Sequence, residues 1–155
     1  MNVKITVVKV LSDIFNLFQQ TNCITVGSLD SKKLSFIKKN CPQALEKVKN
    51  HSIIMWKDRI EHLSKHAYDA SKMPIDELVN LIPDIITNPD YIGYREKDSS
   101  LQFIKEFENN ILVAIRADGK GKLAFRTMYT INRGQLSDYI NKGRAWKFNI
   151  DKKEK

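Results

Sequence analysis

Three features of the chain predict an α+β fold. Helical spacings dominate before Asp90, short alternating segments separated by turn residues follow it, and no linker divides the two halves. At 155 residues the chain fits one domain that can bury a core of its own. The expected architecture is N-terminal helices packed on an antiparallel meander of about four strands, with a closing C-terminal helix.

Val3 to Val10 is rich in β-branched residues, but Val10, Ile14, Leu17 and Phe18 recur at helical intervals. That spacing predicts a helix over 8–19 within an N-terminal extension, residues 1–23, packed on a main domain spanning 24–150. Lys4, Lys9 and Asp13 interrupt the apolar run and no small-residue cleavage pattern follows, so the segment reads as folded structure rather than a signal peptide. No stretch approaches the roughly 20 apolar residues of a membrane span. A cytoplasmic protein without membrane contact is therefore expected.

Ile24 to Gly27 reads as a short strand, and Asp30 or Ser31 caps a helix that ends near Lys39. His51 to Trp56 again has strand character. The helix expected over 57–70 carries two stripes. Ile60, Leu63 and Ala67 form the core stripe, while Arg59, His62, His66 and Asp69 recur on an adjoining polar stripe. Pro74 opens the next helix, with Leu78, Leu81, Ile82, Ile85 and Ile86 turned inward, and Pro83 is expected to kink or split it.

From Tyr91 onward the segments 91–96, 101–107, 110–117 and 122–131 alternate as strands. Asp98 to Ser100, Asn109-Asn110 and Asp118 to Gly121 supply the turns between them. Residues 133–142 close the domain as a helix with Gly143 at its end. The stretch from Lys142 to Phe148 mixes cations with aromatics, which suits a last strand or a clamp for a nucleobase. Residues 151–155 form a basic tail.

Charge is unevenly placed. Residues 1–115 hold 15 Lys+Arg against 14 Asp+Glu, a net of +1, whereas residues 116–155 hold 11 against 4, a net of +7. A cationic face of this kind suits a polyanion, and phosphate contacts would supply affinity rather than sequence information. A solvated tail accounts for Lys152, Lys153 and Lys155. It does not account for Arg116, Arg126 and Arg133, which are threaded through apolar and aromatic residues.

No glycine-rich phosphate loop precedes a helix, and Asp118-Gly-Lys-Gly121 reads as a hairpin turn. Cys23 and Cys41 are too few for a structural zinc site and read as free thiols, although Lys38 and Lys39 precede Cys41 and would favour a thiolate. His62 and His66, four residues apart, could share a zinc ion with Asp69, but Arg59 and Lys65 oppose a cation there. No cofactor is expected.

Proton transfer at neutral pH calls for a histidine, and the chain has His51, His62 and His66. Cleavage of RNA by its own 2′-hydroxyl also needs cations or donors around the phosphorus. Arg116, Arg126, Thr127 and Tyr129 offer both kinds of group. With a three-residue glycine-containing loop after Asp118, Arg116 and Arg126 share one face with Leu112, Ala114 and Ala124. Val113, Ile115, Leu123 and Phe125 then take the other face, with Thr127 and Tyr129 at its end. A slip of one residue reverses that pairing, so which hydroxyls join the arginines stays open.

The run from Ile53 to His66, the run from Leu81 to Ile92, and Phe125-Arg-Thr-Met-Tyr-Thr130 followed by a helix carry a resemblance. Over about 24–148 the chain resembles the phage- and mobile-element-associated branch of the barnase–EndoU–colicin–RelE-like (BECR) nuclease superfamily. The resemblance implies helices packed on an antiparallel sheet of about four strands and a ribonuclease site between a helix and the sheet. It marks His66 late in its helix, and Thr127 and Tyr129 in the last main strand. It further implies metal-independent action on RNA and, in many members, a toxin paired with an inhibitory antitoxin or immunity protein. Lys105, Lys122, Arg133, Arg144 and Lys147 are the expected nucleic-acid contacts, with Arg116 and Arg126 beside His66 as catalytic residues. A basic nucleic-acid-binding module without catalysis is the alternative.

Overall fold

Alternating β-branched and aromatic residues build seven strands among the described residues: β1 Cys23–Ser28, β2 Asn50–Trp56, β3 Tyr91–Arg95, β4 Ser100–Glu106, β5 Asn110–Ala117, β6 Lys122–Ile131 and β7 Ala145–Lys147. The computed structural model describes residues 16–63, 74–107 and 110–148. Four helices accompany the strands. They are α1 Ser31–Asn40, α2 described over 58–63, α3 Ile75–Thr87 and α4 Arg133–Asn141. Of the helix expected over 8–19, residues 16–17 are helical, and the part before Asn16 lies outside the described residues.

Local chemistry sets the helix ends. The Asp30 carboxylate accepts the Lys33 backbone N–H at 2.9 Å and starts α1. Asn132 and Gln135 exchange side-chain and backbone hydrogen bonds, both 2.8 Å, to open α4. Gly143, with φ of 70°, ends the turn after α4 in a conformation that a side chain would disfavour. Pro83 neither splits nor ends α3, which runs through it as one element. The proline removes one backbone hydrogen bond, but Ile82, Ile85 and Ile86 are fully buried on either side of it. Burial of each such side chain contributes about 1.5–3 kcal/mol, enough together to hold the helix across the break.

The sheet is larger than the expected meander of four strands, and it is mixed. Its order is β1-β2-β6-β5-β4-β3-β7. β3, β4, β5 and β6 form the antiparallel meander. The antiparallel pair β1–β2, joined through α1, adds to one side, with β2 parallel to β6, and β7 adds to the free edge of β3. These additions join segments far apart in the chain, whereas the meander is built from neighbours joined by short turns. Periodicity finds the second kind of pairing and is silent on the first.

The two faces of the sheet differ. α1, α3, Ile60 and Leu63 cover one face, where Ile53, Met55, Ile92, Phe103, Val113, Ile115, Phe125 and Met128 are buried. Trp146 and Phe148 pack on this core, Phe148 edge-on to Phe36 at 5.1 Å, so the segment ending at Phe148 forms a strand that seals the core. α4 packs through Leu136 and Tyr139 on part of the other face, against Ile104, Leu112, Ile131 and Ala145. Beside α4 that second face continues without aliphatic cover from the described residues.

Candidate functional site

The uncovered part of the second face takes its character from one irregularity. The β5–β6 hairpin begins as its turn predicts. Asp118 N–H donates to the Lys122 carbonyl at 2.7 Å, Gly121 has φ of 83°, and Arg116 pairs with Ala124. Between Ala114 and Ile115 the register shifts, because Ile115 pairs with Phe125 whereas Ala114 pairs with Thr127. Arg126 is the extra residue of a β-bulge.

The bulge corrects the face assignment of the hydroxyls. Phe125 and Met128 both stay in the large core, so Arg126 and Thr127 together fill the opposite face, and Tyr129 follows them. Thr127 and Tyr129 therefore lie with Arg116 and Arg126, not across the sheet from them. Neighbouring strands extend the surface. Gly93, Gln102, Ala114 and Thr127 stand in one row across β3 to β6, and Tyr91, Ile104, Leu112 and Tyr129 form the next row, beneath α4. Arg95 pairs with Ser100 on the other side of the first row.

The floor of this surface is small and buried: Ser100, Gln102, Ala114 and Ala124. Its rim is half-exposed and consists of Arg95, Arg116, Arg126, Thr127 and Tyr129. A floor of short side chains below long cationic ones leaves room for a bound group. Among the described residues, the guanidinium groups of Arg116 and Arg126 form no hydrogen bond or ion pair. Burial, then the charges of Arg116 and Arg59, lower the Arg126 pKa from its ordinary value. Asp58 and Asp98 act on Arg126 in the opposite sense, but neither forms an ion pair with it among the described residues, and guanidinium groups gathered in this way favour an anion.

Other groups fix the geometry. Arg59 of α2 donates from Nη1 to the Arg126 carbonyl at 3.2 Å, which ties the start of α2 to the bulge. The polar stripe read from sequence thus has its first member at the sheet, and His62, one turn on, is half-buried. Asp98 accepts the Ser100 hydroxyl at 2.8 Å and lies 3.8 Å from the Arg95 guanidinium. Burial, followed by the neighbouring Tyr139, raises the Tyr129 pKa, so this phenol stays protonated at neutral pH and remains a donor.

The remaining expected site residues are dispersed. Lys105 donates its ammonium to the Asn88 carbonyl at the end of α3, 2.7 Å away and on the core side of the sheet. Lys122 is exposed beside the hairpin turn, and Arg133 is exposed at the start of α4. Arg144 lies over the Tyr139 ring at 5.1 Å and Lys147 over the Tyr91 ring at 5.8 Å, both flanking the α4 end of the site face. His66 and Asp69 lie outside the described residues. The Cys41 thiol is buried and pushed up to about 11 by that burial, which makes it a core residue and a poor nucleophile.

Arg59, Arg95, Asp98 and Gln102 were not singled out as site residues from sequence. Arg95 and Gln102 were findable in principle, since the turn at Asp98 to Ser100 sets their pairing register. Arg59 was not, because its partner is a backbone atom 67 residues away.

An α+β protein with an arginine- and hydroxyl-bearing sheet face, partly covered by a helix, is the class this geometry defines. Residues 29–138 match the family model described as phage-Barnase-EndoU-ColicinE5/D-RelE like nuclease3, PBECR3. The chain belongs to this nuclease family. No curated protein and no solved structure gives a significant match. Among the described residues, no helix is long and apolar enough to cross a membrane.

Proposed function

We propose that this nuclease cleaves RNA by attack of the 2′-hydroxyl on the adjacent phosphorus, and that it does so without a metal ion. One observation carries the reading: Arg116 and Arg126, which form no ion pair among the described residues, share a sheet face with the Thr127 and Tyr129 hydroxyls. A trigonal-bipyramidal phosphorane concentrates negative charge on its non-bridging oxygens. Two forked guanidinium groups and a protonated phenol are suited to receive them. His66, which the family resemblance marks, is assigned the proton transfer. As the 2′-oxygen loses its proton and bonds to phosphorus, the 5′-oxygen leaves and takes a proton. The products are a 2′,3′-cyclic phosphate and a 5′-hydroxyl. DNA lacks the nucleophile and is spared.

The test uses end-labelled single-stranded RNA, the matching DNA, and purified protein in EDTA at several salt concentrations. RNA fragments with cyclic phosphate ends, intact DNA, and affinity that falls linearly in log–log salt support the reading. Metal-dependent cutting, or DNA cleavage at an equal rate, refutes it. Salt-sensitive binding with no cleavage under any condition identifies a binding module instead. A toxin role, with an inhibitory protein covering this face, is the biological setting we propose for the activity.

A further inference from the structure

β2 and β6 run parallel with Ile54 beside Ala124. Two residues further along these strands stand Trp56 and Arg126. Ile53 and Met55 are fully buried in the large core, so alternation turns Ile54 and Trp56 to the opposite face, the one that carries Arg116 and Arg126. Trp56 therefore neighbours the bulge. It is 48% exposed, so much of the indole is open to a ligand.

A cavity of about 550 Å³ opens beside it, lined by Trp56, Phe18, Gln19, Asn22 and the start of α2, the carboxylates of Asp58 and Glu61 included. Phe18 is buried in the core beneath it, so the exposed indole is the stacking surface, and the two side-chain amides can hydrogen-bond a heterocycle edge. The recess lies next to the arginine face, because α2, which lines it, is tied to the bulge by the Arg59 bond to the Arg126 carbonyl. A strand whose phosphate sits on Arg116 and Arg126 must place a flanking base somewhere near, and the exposed Trp56 indole is an aromatic surface within that neighbourhood.

We propose that Trp56 is the stacking platform for an unpaired nucleobase next to the phosphate held by Arg116 and Arg126, with the Gln19 and Asn22 side of the recess receiving its edge. The proposal rests on the reading of the arginine face as a phosphate site. It makes single-stranded RNA the preferred ligand, because a base inside a duplex must give up its stacking and pairing, at a cost of a few kcal/mol, before it can lie on an indole.

The test measures binding of a non-cleavable 2′-O-methyl pentaribonucleotide and of an RNA duplex of similar length by the full chain. Trp56→Ala should weaken single-strand binding about 10-fold, within the range known for loss of one base–aromatic stack, and leave duplex binding unchanged. Trp56→Phe should recover most of the affinity. Tryptophan emission should be quenched by the pentanucleotide in the wild-type chain and not in Trp56→Phe. A folded Trp56→Ala protein, native by circular dichroism, that binds the pentanucleotide like wild type overturns the platform. Equal weakening of strand and duplex also overturns it, since that marks a general loss of the face. Trp56-dependent binding without cleavage sustains the platform while removing the nuclease reading, and cleavage without Trp56-dependent binding does the reverse.

Discussion

Replacing Arg126 by Gln separates what this residue does for the fold from what it does for a ligand. The glutamine keeps much of the aliphatic stem and a donor but removes the charge. The Arg59 hydrogen bond goes to the Arg126 backbone carbonyl, so it survives the substitution. In the free protein, Arg126 lies near Arg116 and Arg59. Like charges at a half-exposed site repel by roughly 0.5–1 kcal/mol. Relief of that repulsion should leave Tm unchanged or raise it by about 1–3 °C for a chain of this size. With RNA present the sign reverses. A guanidinium aimed at a developing phosphorane charge is worth about 10²-fold or more in turnover, by analogy with single oxyanion donors. Arg126→Gln should therefore be as stable as wild type and about 100-fold slower, with KM changed much less than kcat. Differential scanning calorimetry and single-turnover cleavage read the two halves. A Tm drop of more than about 4 °C would mean that Arg126 serves the fold, and equal losses in affinity and rate would leave it as a phosphate anchor only.

Three further outcomes are expected. His66→Ala should fold and bind RNA like wild type but turn over at least about 10²-fold more slowly, whereas His62→Ala should lose much less; wild-type cleavage by a folded His66→Ala protein ends the assignment. Arg59→Ala should lower stability by about 1 kcal/mol through loss of its bond to the bulge, and slow cleavage by misplacing Arg126, with Arg59→Lys in between; unchanged kcat would show that the bulge holds itself. Cys41 supplies a pH dependence. Its thiol is pushed from an ordinary 9.0 up to about 11, so the fold disfavours the thiolate. The associated stability is complete below about pH 9 and is lost as pH rises toward 11, by roughly 2–3 kcal/mol. Urea unfolding at pH 8 and pH 10.5 should show the decline, and Cys41→Ala should reduce it.

Much of the architecture can be read locally. The alternation from Tyr91 to Ile131, the Asp118 to Gly121 turn and the Asn132 cap are encoded within a few residues of where they act, so the four-strand meander and α4 follow from the chain itself. The arginines of β5 and β6 were legible for the same reason: the hairpin turn sets their register from one end. The net charge of +7 after Ile115 pointed to Arg116 and Arg126 but not to Arg59 and Arg95, which lie before Ile115.

Tertiary structure decided the rest. Nothing in Phe125-Arg-Thr-Met-Tyr announces a bulge, since either register offers alternating side chains. The bulge appears because Phe125 and Met128, three apart, both bury in the core, and a regular strand cannot turn both to one face. Its consequence is to move Thr127 and Tyr129 to the face of the arginines. The parallel pairing of β2 with β6 is likewise invisible in sequence, because it joins residues some 70 apart, with α2, α3 and the strands β3, β4 and β5 between them. That pairing sets Trp56 beside Arg126. Local sequence thus specified the strands and the chemical groups they carry, while long-range packing of the core chose which of those groups share a face.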